Sequence, residues 1–183
     1  MSELGPLISE SIRVQSAHFA LPVALVTAIV QVESRGRLSA WRAEAAYRYY
    51  WDVARKRPFR SITAAERASE SAPRDFSYFS SISSRDTEWW GQAASWGPMQ
   101  IMGSTAREHG FESEFPELCS TLGVYYGCRH LDRLRDRFFD DHGWIGVAAA
   151  YNAGSVRRLA DGRFENQAYV DKLVRAGCNF KTL

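Results

Sequence analysis

A mostly α, α+β single domain is the fold class this sequence predicts, and three observations predict it. Apolar residues recur at helical spacing over several stretches, and only the region from Ser77 to Gln100 loses that period. The chain has 183 residues, 45% hydrophobic and 24% charged, the size and balance of one ordinary domain with a real core. No repeat, low-complexity tract or linker divides it, so residues 1–183 are expected to form one domain.

The elements follow in order. Ile8, Ile12 and Phe19 mark a first amphipathic helix. A second is expected from Pro22, a residue suited to the first helical position, to about Gly36, a natural C-cap. It is apolar nearly all round, which places it in the core, and Glu33 shares the face of Ile29 and Val30. Thr63-Ala64-Ala65-Glu66 is a capping box opening a short helix. Ser77 to Gln100 mixes Ser, Gly and aromatics and predicts loop with a small sheet. Helix returns at Ser104–His109, stopped by Gly110, and again from Pro116 to Phe138. Trp144–Tyr151 forms another, ended by Asn152-Ala153-Gly154, and Gln167–Ala176 a last, before Gly177.

Composition removes several classes of function. A net charge of +2 is too small to argue for nucleic acid. Cys119, Cys128 and Cys178 are an odd count, which fits a reducing compartment rather than a disulfide scaffold. His18, His109, His130 and His142 form no ligand set at metal spacing with one another or with the cysteines, so no metal and no cofactor is expected. Glu3, Glu10 and Arg13 precede any apolar run, which predicts no secretory signal, and Leu21–Val32 is too short for stable membrane insertion. Six Trp and eight Tyr are many for this length, and such residues line sites that stack on flat ligands, sugar rings included.

Three short pieces carry the chemistry: Glu33-Ser34-Arg35-Gly36, Ala94 to Ala106 (ASWGPMQIMGSTA), and Ala148 to Gly154 (AAAYNAG). Their residue types and order resemble the SLT-type lytic transglycosylases of the lysozyme-like superfamily. In that family a Glu-Ser ends a buried helix, a Gly-x-Met-Gln follows, then a Thr-Ala, and later an Ala-Tyr-Asn-Ala-Gly. The closing ENQAYVDKLV also looks like the family's last helix. The departures are specific. More than sixty residues separate Glu33 from Met99-Gln100, Pro98 stands where Leu is customary, and Gly103 where Pro is. The resemblance therefore implies a lysozyme-like domain with an insertion of about 41–90 after the catalytic helix. Within it, Trp41 to Val53 resembles a segment of phage-type cell-wall enzymes, so an endolysin or virion-associated enzyme is expected, reaching the cell wall or periplasm by a route other than a signal peptide.

The resemblance implies cleavage of the β-1,4 bond between N-acetylmuramic acid and N-acetylglucosamine in peptidoglycan glycan strands. Such a cleavage needs a proton donor that stays protonated near neutral pH, which an apolar setting provides. Glu33 is the candidate acid and Tyr151 its catalytic companion. Ser34, Ser95, Trp96, Met99, Gln100 and Asn152 are candidate substrate contacts, with Met99 almost as well explained by packing. Trp89, Trp90 and Trp96 are candidates to stack on glycan rings. A lytic transglycosylase would use Glu33 alone and give a 1,6-anhydro product. A muramidase of the same fold would add a second carboxylate, for which Glu44 is the best candidate and Asp86 another, at about 6.5–9.5 Å. The competing explanation of Glu44 is an ion pair with Arg42 or Arg48. A non-catalytic glycan-binding protein is the third reading. The oligomeric state stays open.

Overall fold

The computed structural model describes residues 4–183; Glu3, used above, lies outside the described residues. Among these, seven α-helices and five short strands form two compact units, residues 4–37 with 127–183, and residues 38–126. The mostly α expectation is met.

The first unit is helical. Helix α1 (Pro6–His18) buries Ile8 and Ile12 and ends one residue before Phe19, which caps it. Helix α2 (Val23–Ser34) starts one residue later than expected, because Pro22 stands as its N-cap in extended backbone. Leu25, Val26, Ala28, Ile29 and Val30 are fully buried, and α2 packs against α1 and against α7 (Gln167–Arg175). Ala149, Phe164 and Val170 form a second apolar cluster, sealed by Ile145, Val156 and Phe180.

The second unit holds all the strands and the whole stretch 41–90. Strands β1 (Trp41–Ala43), β4 (Ala94–Trp96) and β5 (Ile101–Met102) make an antiparallel sheet in the order β1-β4-β5. Strands β2 (Trp51–Asp52) and β3 (Arg57–Pro58) make a separate hairpin. Helix α3 (Ala64–Ala68) opens with the expected capping box, Thr63 Oγ1 accepting from the Glu66 N–H at 3.1 Å. The region predicted as loop contains helix α4 (Arg85–Gln92). Its start was written in the chain: Ser84 caps the Thr87 N–H, and Asp86 and Glu88 occupy the first turn. Two adjacent tryptophans and Gly91 blurred the helical period there.

Helix α5 (Gly103–Glu108) lies where expected, and its Ala106 packs with Ile101, Phe111, Phe115 and Leu118. The helix expected from Pro116 begins instead as a 3-10 turn, Phe115–Leu118, with the α-helix proper starting at Thr121. Helix α6 runs over Thr121–Ala153 but breaks at Gly143, where φ is 58° and ψ is −171°. Only glycine takes that conformation cheaply, so the expected division into two helices is present. No helix among the described residues is long and apolar enough to cross a membrane. The three cysteines are free thiols.

Candidate active site

In the first unit the site is built on the end of α2. The apolar residues Ile29 and Val30 bury that helix, while Glu33, in its last turn, is half-buried rather than enclosed. The expectation of a buried acid on the Ile29 and Val30 face is corrected to partial burial, because the helix stops one residue later. Ser34 makes the stop. Its Oγ donates back to the Val30 carbonyl at 3.2 Å and accepts from the Gly36 N–H at 3.1 Å. Arg35, not Gly36, takes the left-handed cap position at φ 56°, and Gly36 follows at φ 76°. Ser34 is buried and spent on shaping the turn that carries Glu33.

Two tyrosines face the Glu33 carboxyl. Tyr169, from α7, is buried, and its hydroxyl meets no partner at full hydrogen-bonding geometry. Burial first, and then the charge of Glu33 and the hydroxyl of Tyr151, hold the Tyr169 phenol well above the ordinary tyrosine range. Tyr151, near the end of α6, is half-buried. Burial, then Glu33, then Cys128 keep it a phenol as well. The His130 ring lies 5.6 Å from that of Tyr151, and burial pulls its value down to about 4, so it is neutral at pH 7. Burial likewise pushes Cys128 up to about 12. The surroundings of Glu33 named here are therefore uncharged polar groups in a poorly solvated setting.

Asn152 is exposed, and its Oδ1 accepts from Asn166 Nδ2 at 3.0 Å. The same Asn166 amide donates to the Ala149 carbonyl at 2.9 Å, tying the end of α6 to the start of α7. His130, Asn166 and Tyr169 were missed as site residues from the sequence. For the last two a clue existed in ENQAYV, where Asn166 stands immediately before α7 and Tyr169 is its third residue, next to buried Val170. His130 carried none, since one imidazole on a long amphipathic helix looks like surface.

The second unit positions the other candidates. Gly97 has φ +70°, and a Cβ there would come within 1.9 Å of the Leu118 carbonyl oxygen, so this turn accepts no side chain. Gln100 adopts φ 51°, an unusual conformation for a residue with a Cβ. Its side chain is fully engaged: Nε2 donates to the carbonyls of Gly97 at 2.9 Å and Ala40 at 3.1 Å, while Oε1 accepts from Ser95 Oγ at 2.9 Å. Met99 is 0% exposed and offers no surface to a ligand. Glu44 is ion-paired with Arg42, whose Nε donates at 2.6 Å. Asp86 is exposed and accepts from the Ala72 N–H at 2.8 Å. Trp89 is core, stacked on Tyr50 at 3.9 Å, whereas Trp90 is half exposed and Trp96 half-buried.

Among the described residues no cluster of His, Cys, Asp or Glu is arranged to hold a metal ion. No curated protein and no solved structure matches the chain significantly. The family model described as the transglycosylase SLT domain matches residues 10–170. Glu33-Ser34, the Gly97–Gln100 turn and the Ala150–Gly154 helix end all lie inside that span, and the chain belongs to the SLT transglycosylase family, whose members are peptidoglycan lytic transglycosylases.

Proposed function

We propose that Glu33 acts alone as acid and then base in cleaving the β-1,4 bond between N-acetylmuramic acid and N-acetylglucosamine. Protonated Glu33 gives its proton to the glycosidic oxygen as the bond to C1 breaks. The resulting carboxylate takes the proton of the muramyl C6 hydroxyl, whose oxygen closes on C1. The product is a 1,6-anhydro sugar, Glu33 is protonated again, and no water is consumed. The carrying observation is the company of Glu33: the neutral phenols of Tyr151 and Tyr169 at the C-terminal end of an apolar helix. The partly buried setting and the negative end of the helix favour a carboxyl that keeps its proton, while the phenol hydroxyls steady the carboxylate formed midway.

Tyr151 is the second catalytic residue in this reading. Asn152, held by Asn166, is the contact for the substrate's N-acetyl group. Ser34, Ser95, Met99 and Gln100 act by position: their polar atoms or surfaces are used inside the protein, to hold the turns at Glu33 and at Gly97. The Arg42–Glu44 pair supports a single acid, because a carboxylate neutralised by a guanidinium is a poor base for water.

Mass spectrometry of soluble products from purified peptidoglycan tests this. Muropeptides with 1,6-anhydro ends, lighter by one water than reducing ends, are expected. Reducing ends throughout would replace the proposal with hydrolysis. Loss of products in Glu33→Gln with unchanged melting is the second expectation.

A further inference from the structure

The sheet of the second unit has two faces, and only one carries Ser95 and Gln100. In the register of β1 and β4, Trp41 lies opposite Trp96 and Ala43 opposite Ala94, while Arg42 lies opposite Ser95. Side chains alternate along a strand, so Trp41, Ala43, Ala94 and Trp96 share the face that Ser95 does not. That face floors a groove of about 680 Å³, walled by Trp90, Gly91 and Phe115. The volume is that of a small-ligand site rather than of a protein–protein interface.

The aromatic rings in it are set in advance. Trp41 stacks on Trp96 at 6.0 Å and 23°, and Trp96 on Phe115 at 5.7 Å and 15°. Arg107 covers Phe115 at 4.2 Å and is itself gripped by buried Glu88. Trp96 Nε1 donates to the Gly91 carbonyl at 2.9 Å, and Trp90 Nε1 to that of Glu70 at 3.1 Å. With Trp96 held through its N–H and Trp90 through its own, Trp41 and Trp90 still leave 62% and 47% of their surface in solvent. Two exposed indoles on an apolar groove are costly unless something flat covers them. The rim supplies Ser83, Asp86, Thr87 and Glu114, hydroxyls and carboxylates able to bond the equatorial groups of a ring.

We propose that this groove is a second glycan-binding site, taking β-1,4-linked N-acetylated pyranose rings of the same polymer on Trp41 and Trp90, with none of the residues assigned to the cutting step. Pyranose C–H faces are apolar and their edges carry hydroxyls, which matches ring walls with a polar rim. The rim acids disfavour an anionic ligand and leave an uncharged sugar as the better fit. A second hold on one strand raises local concentration at the cutting site without adding a contact there. The proposal rests on the family's action on peptidoglycan, not on the role of Glu33.

The test uses the full chain carrying Glu33→Gln and insoluble peptidoglycan stripped of protein, with retention measured by sedimentation. Soluble fragments in the same tube report on Glu33 separately. Trp41→Ala is expected to weaken retention about tenfold, as loss of one stacking ring does elsewhere, while Trp41→Tyr stays within about threefold of the parent. Titration with the β-1,4 tetramer of N-acetylglucosamine should shift the indole N–H signals of Trp41 and Trp90. If Trp41→Ala lowers the melting midpoint, Trp90→Ala decides in its place, with the same tenfold expectation. Unchanged retention in the alanine variants overturns the proposal. So does a Tyr variant no better than Ala, or retention that appears only on walls still carrying protein.

Discussion

Glu33 and Glu88 are the same residue in two settings, and the contrast shows what a fold does to a carboxyl. Glu88, in the second unit, is 0% exposed and saturated. Arg107 Nε and Nη2 grip its two oxygens at 2.8 and 2.9 Å, and Gln92 Nε2 adds a third bond at 2.9 Å. Arg107 Nη1 donates to the carbonyls of Phe111 and Ser113. Glu33, in the first unit, is half-buried beside phenols. Full burial in a saturated ion pair fixes the charge of Glu88 and makes it a strut. Depth alone therefore does not mark a candidate acid: the more deeply buried of the two is the one saturated by an ion pair.

The contrast can be broken at either end. Glu33→Gln should lower glycan cleavage by about 10²–10⁴-fold, the usual worth of a general acid, with the melting midpoint unchanged. Cleavage at the parental rate would end the assignment. Glu88→Ala should do the opposite, costing about 3–5 kcal/mol of stability because Arg107 is left buried without its partner. Urea denaturation measures it, and a loss below about 1 kcal/mol would mean that solvent reaches the pair.

His130 sharpens the comparison through pH. Burial lowers its folded value from 6.5 to about 4, so the unfolded chain takes up the proton first. Its contribution is fully present above pH 6.5 and is lost as pH falls towards 4, about 3 kcal/mol at about 1.4 kcal/mol per pH unit. Denaturation midpoints across that window should flatten in His130→Phe, and an equally steep dependence would place its origin elsewhere. Tyr169→Phe is expected to slow cleavage by less than about tenfold and to move the alkaline limb of the pH–rate profile upward, since the carboxylate loses a nearby dipole. A profile that stays in place would make Tyr169 packing only. Smallest is Thr63→Ala, which should cost about 1 kcal/mol through the cap of α3 and leave catalysis untouched.

Much of this was legible in the chain, for local reasons. The apolar run of α2, the capping box at Thr63, the break before Trp144 and the closing helix each depend on neighbours a few residues apart, and each appeared where its residues predicted. So did the ion pair of Glu44 with Arg42, two positions away. Helix α4 escaped because its period is short and filled with aromatics, although its cap at Ser84 was present.

By itself the sequence determined the family, the mostly helical class and the candidate acid, because motif order and helical spacing are properties of a line. Tertiary structure alone decided which groups surround that acid. Tyr169 reaches Glu33 across 136 positions of chain, and Arg107 reaches Glu88 across 19. It also decided that Met99 is core, that Gln100 spends its amide on holding a turn, and that Trp41 joins Trp96 on one sheet face. Burial and hydrogen-bond satisfaction depend on which distant segments share a space, and that is settled only when the chain has folded.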